Sequence, residues 1–151
     1  MKIRTFQDGD ETAIKALIHS ILNGEFQIEK KAYSESDLDM ISKVYSGERN
    51  AFLIGEEDRK IIGTVAIKED DRHTALLRRL FIDPSYRGKK YGSQMVDEAL
   101  SFCRAKGYKK VVFRGTVGMA AALGLIRKKG FSEAQKISFG EIEMIVFTLS
   151  L

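Results

Sequence analysis

The stretch LFIDPSYRGKKYGSQM, residues 80–95, carries the most informative pattern in the chain. An apolar run ends at Pro84, and a basic loop then leads into the start of an amphipathic segment. Gly88 and Gly92 permit backbone conformations that turn successive N–H groups toward one point, and a helix start adds unpaired N–H donors. The loop also carries three basic side chains, Arg87, Lys89 and Lys90. The pattern predicts a site for an anion such as a pyrophosphate.

The same loop could also be a solvated basic turn that only connects two elements. Two other kinds of phosphate loop are excluded, because neither G-x-x-x-x-G-K-S/T nor G-x-G-x-x-G occurs in the sequence. The chain is therefore expected to be neither a P-loop NTPase nor a Rossmann dinucleotide-binding protein.

Before the loop, the sequence predicts a strand, two helices and three further strands. A short strand from Lys2 to Phe6 precedes Asp10, which is placed to cap a helix. That helix has one apolar stripe, formed by Ile14, Leu17, Ile18, Ile21 and Leu22. A second helix is predicted to begin at Ser36 and to end before Gly47. Three antiparallel strands are predicted at residues 51–55, 60–68 and 74–82.

After the loop, the pattern predicts a helix, a strand, another helix and a terminal hairpin. The first helix has an apolar stripe formed by Met95, Val96, Ala99, Leu100 and Cys103. A buried strand is expected at 109–114, a helix within 118–131, and hairpin strands at 134–139 and 143–149. This order predicts an α+β fold with a mostly antiparallel sheet of about seven strands and about four helices on both faces.

Composition limits the classes of protein that the chain can represent. Its 151 residues, of which 44% are hydrophobic and 30% charged, predict one folded domain covering residues 1–151. No apolar run approaches the roughly 20 residues of a membrane-spanning helix, and the first residues lack the apolar part of a signal peptide. We therefore expect a cytoplasmic protein with no membrane partner.

The single cysteine and two histidines make disulfide and metal chemistry improbable. Cys103 falls within an apolar stripe and is expected in the core, whereas His19 and His73 are expected at the surface. We expect no bound metal. The net charge of +4 suits an anionic ligand or a nucleic acid but requires neither.

The loop and its surroundings resemble a known family. The sequence RGKKYG at 87–92, preceded by LFIDP at 80–84, resembles the pattern Arg/Gln-x-x-Gly-x-Gly/Ala, the coenzyme A loop of the GNAT family of acyl-CoA-dependent N-acetyltransferases. The order of predicted elements from Lys2 to Leu149 is similar to that fold. The segment 121–131, which ends in K-K-G-F, resembles a later helix of the family and the strand after it.

The resemblance implies roles for particular backbone groups. Amides of Arg87 to Gly92 would hold the pyrophosphate of acetyl-CoA, and the Leu80 N–H would face the thioester carbonyl as the catalytic donor. The N–H and C=O of Ile82 would meet the pantetheine amides. The complete predicted cofactor-binding set is Leu80, Phe81, Ile82, Arg87, Gly88, Lys89, Lys90, Tyr91, Gly92 and Ser93.

The chain departs from the family pattern at four positions. Lys90 replaces the first loop glycine, which requires either a negative φ or some backbone strain. Leu76 stands where many relatives have a glutamate that could act as the base, and Ile126 stands where many have a tyrosine that protonates the thiolate. Met119 replaces an asparagine that often contacts the cofactor.

Two charged clusters remain to be assigned. The connection between the first two helices carries Glu25, Phe26, Glu29, Glu35 and Asp37. In proteins that this chain resembles, this segment borders the acceptor site, so Glu25 and Phe26 are candidate substrate-binding residues, with a solvated loop as the alternative. Arg127, Lys128 and Lys129 either complement a helix end or contact an anionic partner.

The leading hypothesis is an N-acetyltransferase that moves an acetyl group from acetyl-CoA directly to a primary amine of a small molecule or peptide. The absence of the usual Glu and Tyr leaves open a non-catalytic acyl-CoA-binding or regulatory module. The basic charge leaves open an acetyltransferase acting on aminoacyl-tRNA, although we do not expect a nucleic-acid partner because the chain lacks an aromatic and basic tract. The protein would act as a monomer or homodimer.

Overall fold

A computed structural model describes the whole chain, Met1–Leu151, as one seven-stranded sheet with four α-helices. The strands are β1 (Lys2–Thr5), β2 (Ala51–Glu57), β3 (Lys60–Glu69), β4 (Thr74–Ile82), β5 (Lys110–Thr116), β6 (Ser132–Phe139) and β7 (Ile142–Ser150). The helices are α1 (Glu11–Glu25), α2 (Ile41–Val44), α3 (Tyr91–Ala105) and α4 (Ala120–Lys128). The predicted α+β fold, with its strand count and element order, is confirmed.

The strands follow the order β1-β2-β3-β4-β5-β7-β6 across the sheet. All neighbouring pairs are antiparallel except β4 and β5, which are parallel. A parallel pair needs a long crossover, and α3 provides it. The loop at 87–92 therefore lies between the end of β4 and the start of α3, close to the one parallel pair of the sheet.

Each face of the sheet has its own apolar core. On one face, α3 buries the stripe predicted from its sequence, with Met95, Val96, Ala99 and Cys103 all fully inaccessible to solvent. On the other face, α1 packs against β2 and β3 through Ile14, Ile18 and Leu22. The stripe is what makes each segment helical, because packing of an apolar face supplies most of the stability of a helix.

The predicted second helix is wrong in its extent. A 3-10 turn covers Ser36–Asp39, the chain leaves helical geometry at Met40, and α2 covers only Ile41–Val44. Asp37, a charged residue, is buried beside Leu38. Burial of Asp37 through an ion pair, described below, overrides the apolar period.

The helices leave part of one face open. α1 covers β2 and β3, whereas the same face of β5, β7 and β6 carries no helix and forms the floor of a cleft. None of the helices combines the length and the apolar character that crossing a membrane requires.

Candidate functional site

The loop before α3 presents a row of free backbone donors. The six consecutive N–H groups from Gly88 to Ser93 donate to no carbonyl and to no side chain of the protein. Positive φ angles at Gly88 (80°) and Lys90 (64°) turn the chain so that the row ends at the first turn of α3. Free amides at the positive end of a helix dipole are a strong site for a phosphate group.

Of the two backbone conformations expected for Lys90, a negative φ or a strained positive φ, the structure shows the strained one. It is the residue before α3 and has φ 64° and ψ 19°, in the left-handed region. That conformation costs a residue with a Cβ about 1–2 kcal/mol, whereas glycine adopts it without this cost. The loop therefore keeps the shape that a glycine would adopt, and adds an exposed ammonium group beside the free amides.

The other basic side chains of the loop have protein partners. The Arg87 guanidinium forms two parallel bonds with the Glu25 carboxylate, at 2.5 and 2.9 Å, and its Nε donates to the Ile82 carbonyl at 3.1 Å. The Lys89 ammonium lies 5.4 Å from the centre of the Tyr86 ring. Arg87 thus ties the loop both to the end of β4 and to the last residue of α1.

A bulge in β4 lies a few residues before the loop. The register runs from Ala66 opposite Arg78 to Thr64 opposite Phe81, so Arg79 and Leu80 share the space opposite one residue of β3. Arg79 has a φ of 54°, and its carbonyl accepts a 2.7 Å bond from the buried Thr64 hydroxyl. This bond holds the backbone just before Leu80, the predicted catalytic donor.

The two parallel strands separate just before the bulge. Pairing of β4 with β5 ends at Leu77 opposite Phe113, and a cleft of about 620 Å³ opens where the strands diverge. Its lining includes side chains that belong to both sheet faces, such as Leu80 on the α3 side and Phe81 on the α1 side. A ligand could therefore reach the β4 backbone from either face.

The side chain of the bulge residue is held in a buried ion pair. Arg79 donates through Nε to Asp37 Oδ2 at 3.0 Å and through Nη2 to the other Asp37 oxygen, and also bonds to the Ser34 carbonyl. The Tyr45 hydroxyl donates to Asp37 Oδ2 at 2.6 Å. Burial alone would raise the pKa of Asp37, but the hydrogen bonds from Arg79 and Tyr45 outweigh it and lower the pKa. Burial likewise raises the pKa of Tyr45.

Tyr33 places a hydroxyl in the cleft. Its oxygen accepts a 3.2 Å bond from the Thr116 N–H and lies 3.6 Å from the Met119 sulfur. Burial raises the pKa of Tyr33, so the hydroxyl keeps its proton at neutral pH. The adjacent Thr116 Oγ1 is the one buried side-chain oxygen or nitrogen without a partner. This end of β5 is therefore polar within an otherwise apolar lining.

The three side-chain departures from the family pattern occupy two environments. Leu76 and Met119 line the cleft, whereas Ile126 is fully buried in the α3-side core. Neither Leu76 nor Ile126 can exchange a proton. The cleft therefore lacks both the carboxylate and the tyrosine that these positions would otherwise supply.

The acidic residues of the α1–α2 connection do not form one cluster in the structure, because each contacts a different partner. Glu25 pairs with Arg87, Glu35 lies 3.3 Å from His19, and Asp37 holds Arg79. A Cβ on Gly118 would lie 1.9 Å from Glu29 Oε1, so the Glu29 carboxylate rests against that backbone. None of these acids lines the cleft, and Phe26 instead packs at the margin of the α1-side core.

Cys103 and the basic residues 127–129 lie in environments that account for them without a catalytic role. Cys103 is fully buried, and burial raises the pKa of its thiol to about 12, so it is no nucleophile. Arg127 pairs with Glu133 and Lys129 with Asp97, each at 2.8 Å, whereas the exposed Lys128 forms no ion pair. No cluster of three His, Cys, Asp or Glu side chains could hold a metal ion.

Sequence reasoning did not find the Arg79–Asp37 pair or Tyr33. An arginine inside an apolar strand was the available signal for the first, since a buried guanidinium needs a partner. No local pattern distinguishes Tyr33 from other residues of the α1–α2 connection. The geometry as a whole provides an anion site, an unpaired strand edge and an adjoining apolar cleft.

Comparison with known proteins gives a consistent result. The model of the family described as "Acetyltransferase (GNAT) family" matches residues 16–131. A protein named "Probable N-acetyltransferase camello" from Xenopus tropicalis is 27% identical over 117 residues, which are 76% of this chain and 53% of that protein. The chain spans about half the length of the curated relatives it matches.

Solved structures show the same fold. An acetyltransferase from Streptococcus agalactiae 2603 superposes with a TM-score of 0.88 at 21% identity, over 99% of this chain and 98% of that one. The protein yncA of Salmonella typhimurium, solved with its cofactor acetyl-CoA, superposes with a TM-score of 0.77 at 18% identity, over 99% and 93% of the two chains.

Proposed function

The chain belongs to the GNAT family of acetyltransferases, as its loop sequence predicted, and we propose that it transfers an acetyl group from acetyl-CoA directly to a primary amine. The observation that carries the proposal is the row of six free amides from Gly88 to Ser93, which adjoins the bulged edge of β4 and the cleft. The acetyl-CoA bound to yncA, which shares the fold, supports the choice of donor. The acceptor would be a small molecule or a peptide.

The pyrophosphate of acetyl-CoA would lie against the amides of residues 88–93. Six donors and the end of α3 suit its oxygens, and Lys89, Lys90 and Arg87 add positive charge. Backbone donors are rigid, so they need little reorganisation when the anion binds. The basic side chains would strengthen binding without setting its geometry.

The pantetheine arm would run along β4 where β5 has separated from it. Residues 78–82 of β4 have no partner on the β5 side, so their backbone groups are available to an added extended segment. The N–H and C=O of Ile82 are the proposed contacts. The Ile82 carbonyl already accepts a bond from Arg87 and has a second lone pair for the ligand.

The Leu80 N–H would stabilise the transition state. A neutral amine attacks the thioester carbon, the C–S bond breaks, and the thiolate leaves with the proton that the amine gives up. Negative charge develops on the thioester oxygen during the attack, and losing a fixed donor at such a site costs about 2.7–4 kcal/mol in other acyl-transfer enzymes. The Thr64 bond to the Arg79 carbonyl would keep this donor in position.

Proton transfer would rely on fewer side chains than in many relatives. Leu76 and Ile126 replace the usual base and acid, and help from such groups is typically worth about 10²–10⁴-fold. A thiol with a pKa of about 8.5 is a tolerable leaving group without them. Tyr33 lines the cleft with a protonated phenol, and we infer that it is the candidate acid. The reaction would be slow and would rise with pH as the amine becomes neutral.

A second candidate function is a non-catalytic acyl-CoA-binding module. Leu76 and Ile126 favour it, because binding needs neither a base nor an acid. Both candidates share the loop and differ only in turnover. We place either function in the cytoplasm, in keeping with the single free cysteine.

Two measurements test the proposal and separate the candidates. Calorimetric titration with acetyl-CoA and coenzyme A should give dissociation constants below 1 mM, about −4 kcal/mol or tighter; no binding would refute both functions. Release of coenzyme A, followed with a thiol reagent, should then depend on added amine. Buried Cys103 will contribute little background to this assay. Binding without amine-dependent release would establish the binding module instead.

A further inference from the structure

We propose that the acceptor amine also carries a carboxylate, and that Arg78 and Arg114, side by side in the cleft, bind it. This inference rests on the proposed acetyl transfer and names its substrate class. Free amino acids with apolar side chains have the required combination of groups.

The two arginines occupy matching positions on the parallel strands. Leu76 pairs with Val112 and Leu77 with Phe113, so Arg78 and Arg114 are the next residues on each strand where pairing ends. Each lies two residues beyond the Leu76–Val112 pair and therefore on the same face, within the lining of the cleft. Paired strands are about 4.8 Å apart, and Arg78 and Arg114 each follow the last pair by only one residue, so their long side chains can reach one carboxylate from both strands.

Neither guanidinium has an acidic partner. Arg78 and Arg114 form no ion pair and no side-chain hydrogen bond, whereas Arg79, the residue after Arg78, bonds to Asp37 and to the Ser34 carbonyl. Asp37 is near enough to Arg78 to feel its charge, but both Asp37 oxygens are already used by Arg79 and Tyr45. Two adjacent like charges repel each other. A bound anion would remove that repulsion.

The rest of the lining defines what else the ligand can be. All three charged residues of the cleft are arginines, and no acidic side chain lines it. Most of the remaining lining is apolar and includes Leu76, Val112, Ile137, Phe139, Met144 and Val146. The cleft therefore favours an anion attached to an apolar body and disfavours polyamines and other multiply charged cations.

The spacing along β4 suits an amino acid. Arg78 lies two residues before Leu80, and because the Arg79 bulge lies between them, their separation does not exceed the about 7 Å of an extended strand. The long Arg side chain covers part of that distance, so the carboxylate and the amine must be only a few bonds apart. The amine would then reach the thioester carbon near the Leu80 N–H.

Matched acceptors provide the first test. We would compare L-leucine with L-leucinamide and L-phenylalanine with L-phenylalaninamide, together with spermidine, by following acceptor-dependent release of coenzyme A. The acids should show kcat/KM at least tenfold higher than their amides. The amides have the less basic amines, so protonation alone would favour them and cannot produce the expected preference. Equal or higher kcat/KM for the amides or for spermidine would overturn the inference while leaving the proposed acetyl transfer intact.

Variants provide the second test. Arg78→Gln and Arg114→Gln should each raise KM for leucine at least tenfold and remove the preference for the acid, and Arg114→Lys should retain part of it. Arg104→Gln, an exposed arginine on α3 outside the cleft, is the control and should change nothing. Melting temperatures would confirm that each variant is folded. A preference that survives both glutamine variants would overturn the inference.

A binding readout keeps the inference testable if no acceptor is turned over. Calorimetric titration of N-acetyl-L-leucine and of its amide, with and without saturating coenzyme A, should show binding of the acid alone. Arg114→Gln should abolish that binding. Failure of acetyl-CoA to bind would refute the proposed function, whereas failure of N-acetyl-leucine to bind would refute the carboxylate site.

Discussion

Arg79 and Asp37 join the β4 bulge to the turn between the first two helices through a buried, two-point ion pair. The two residues are 8% and 6% exposed, so both charges have lost most of their hydration and depend on each other. Arg79 is also the bulge residue with a φ of 54°. The pair therefore fixes at once a strained backbone position and the segment that carries Tyr33.

Removing one partner should destabilise the protein strongly. Asp37→Asn leaves the Arg79 charge buried without a counter-ion, and breaking buried pairs in this way costs about 3–5 kcal/mol. The free energy of unfolding, measured with urea, should fall by that amount. The double variant Asp37→Leu, Arg79→Met should lose less than the sum of the single changes. A loss below about 1 kcal/mol for Asp37→Asn would mean that the pair is solvated.

The same variant should change how stability depends on acid. The pKa of Asp37 is lowered in the folded protein, so its contribution is present above the unfolded pKa of about 3.9 and is lost as pH falls through the folded pKa. Between pH 5 and pH 2 the wild type should lose more stability than Asp37→Asn. Parallel curves of unfolding free energy against pH would contradict this assignment.

Thr64→Val should impair turnover more than binding. The change keeps the shape of the side chain but removes the hydroxyl that holds the Arg79 carbonyl beside Leu80. We expect kcat to fall by up to about 10²-fold, the lower end of the cost of losing an oxyanion donor, with acetyl-CoA affinity nearly unchanged. Thr148→Val on β7 is the matched control. An unchanged kcat would show that this bond does not position the donor.

Charge reversal in the loop should weaken coenzyme A binding by more than tenfold. Lys89→Glu, Lys90→Glu adds repulsion as well as removing attraction, whereas single alanine changes should cost only about 0.2–1 kcal/mol each. Lys109→Glu, Lys110→Glu, an exposed pair at the start of β5, is the control. Calorimetry on variants with wild-type melting would measure the effect, and equal affinity for both double variants would place the cofactor elsewhere.

Gly88→Val should weaken coenzyme A binding as much as the double reversal. Open space surrounds the Cβ position, so the penalty comes from the φ of 80°, which valine resists, and the loop must change shape. Gly9→Val has a comparable φ of 99° and equally open space but lies far from the loop in the sequence. It should lower stability without changing coenzyme A affinity. Equal affinity of the two variants would argue against a role for the loop geometry.

Glu25→Gln distinguishes two roles for this carboxylate. If Glu25 only neutralises Arg87, its removal should free a positive charge and raise coenzyme A affinity by up to about fivefold, the scale of an exposed ion pair. If it binds the acceptor, as the family resemblance implied, KM for the amine should rise instead. Glu98→Gln on the exposed side of α3 is the control for charge alone.

Cys103 should be unreactive in the folded protein. Burial raises its pKa to about 12, and no part of the side chain is exposed. A thiol reagent at pH 8 should label it only after denaturation, and one thiol per chain should then react. Rapid labelling of the native protein would show that α3 opens readily or that the thiol is accessible.

The sequence alone determined the features that depend on neighbouring residues. Apolar periods of 3.6 and 2 identify α1, α3 and most strands, since each element must bury one face. The glycines and basic residues of 87–92 identify the anion loop, because its backbone shape and charge come from consecutive residues. The family resemblance rests on this same local pattern.

Tertiary structure alone decided the site around the bulge. No neighbouring residue explains the left-handed backbone conformation of Arg79. Its carbonyl is held by Thr64, 15 residues earlier in the chain, and its side chain by Asp37, 42 residues earlier. The same long-range pairing interrupts the predicted second helix at Met40 and directs the acids of that segment away from the cleft. Arg78 and Arg114 become neighbours only because β4 and β5 pair in parallel. Contacts between distant residues leave no period in the sequence, so the fold had to bring them together before their chemistry could be identified.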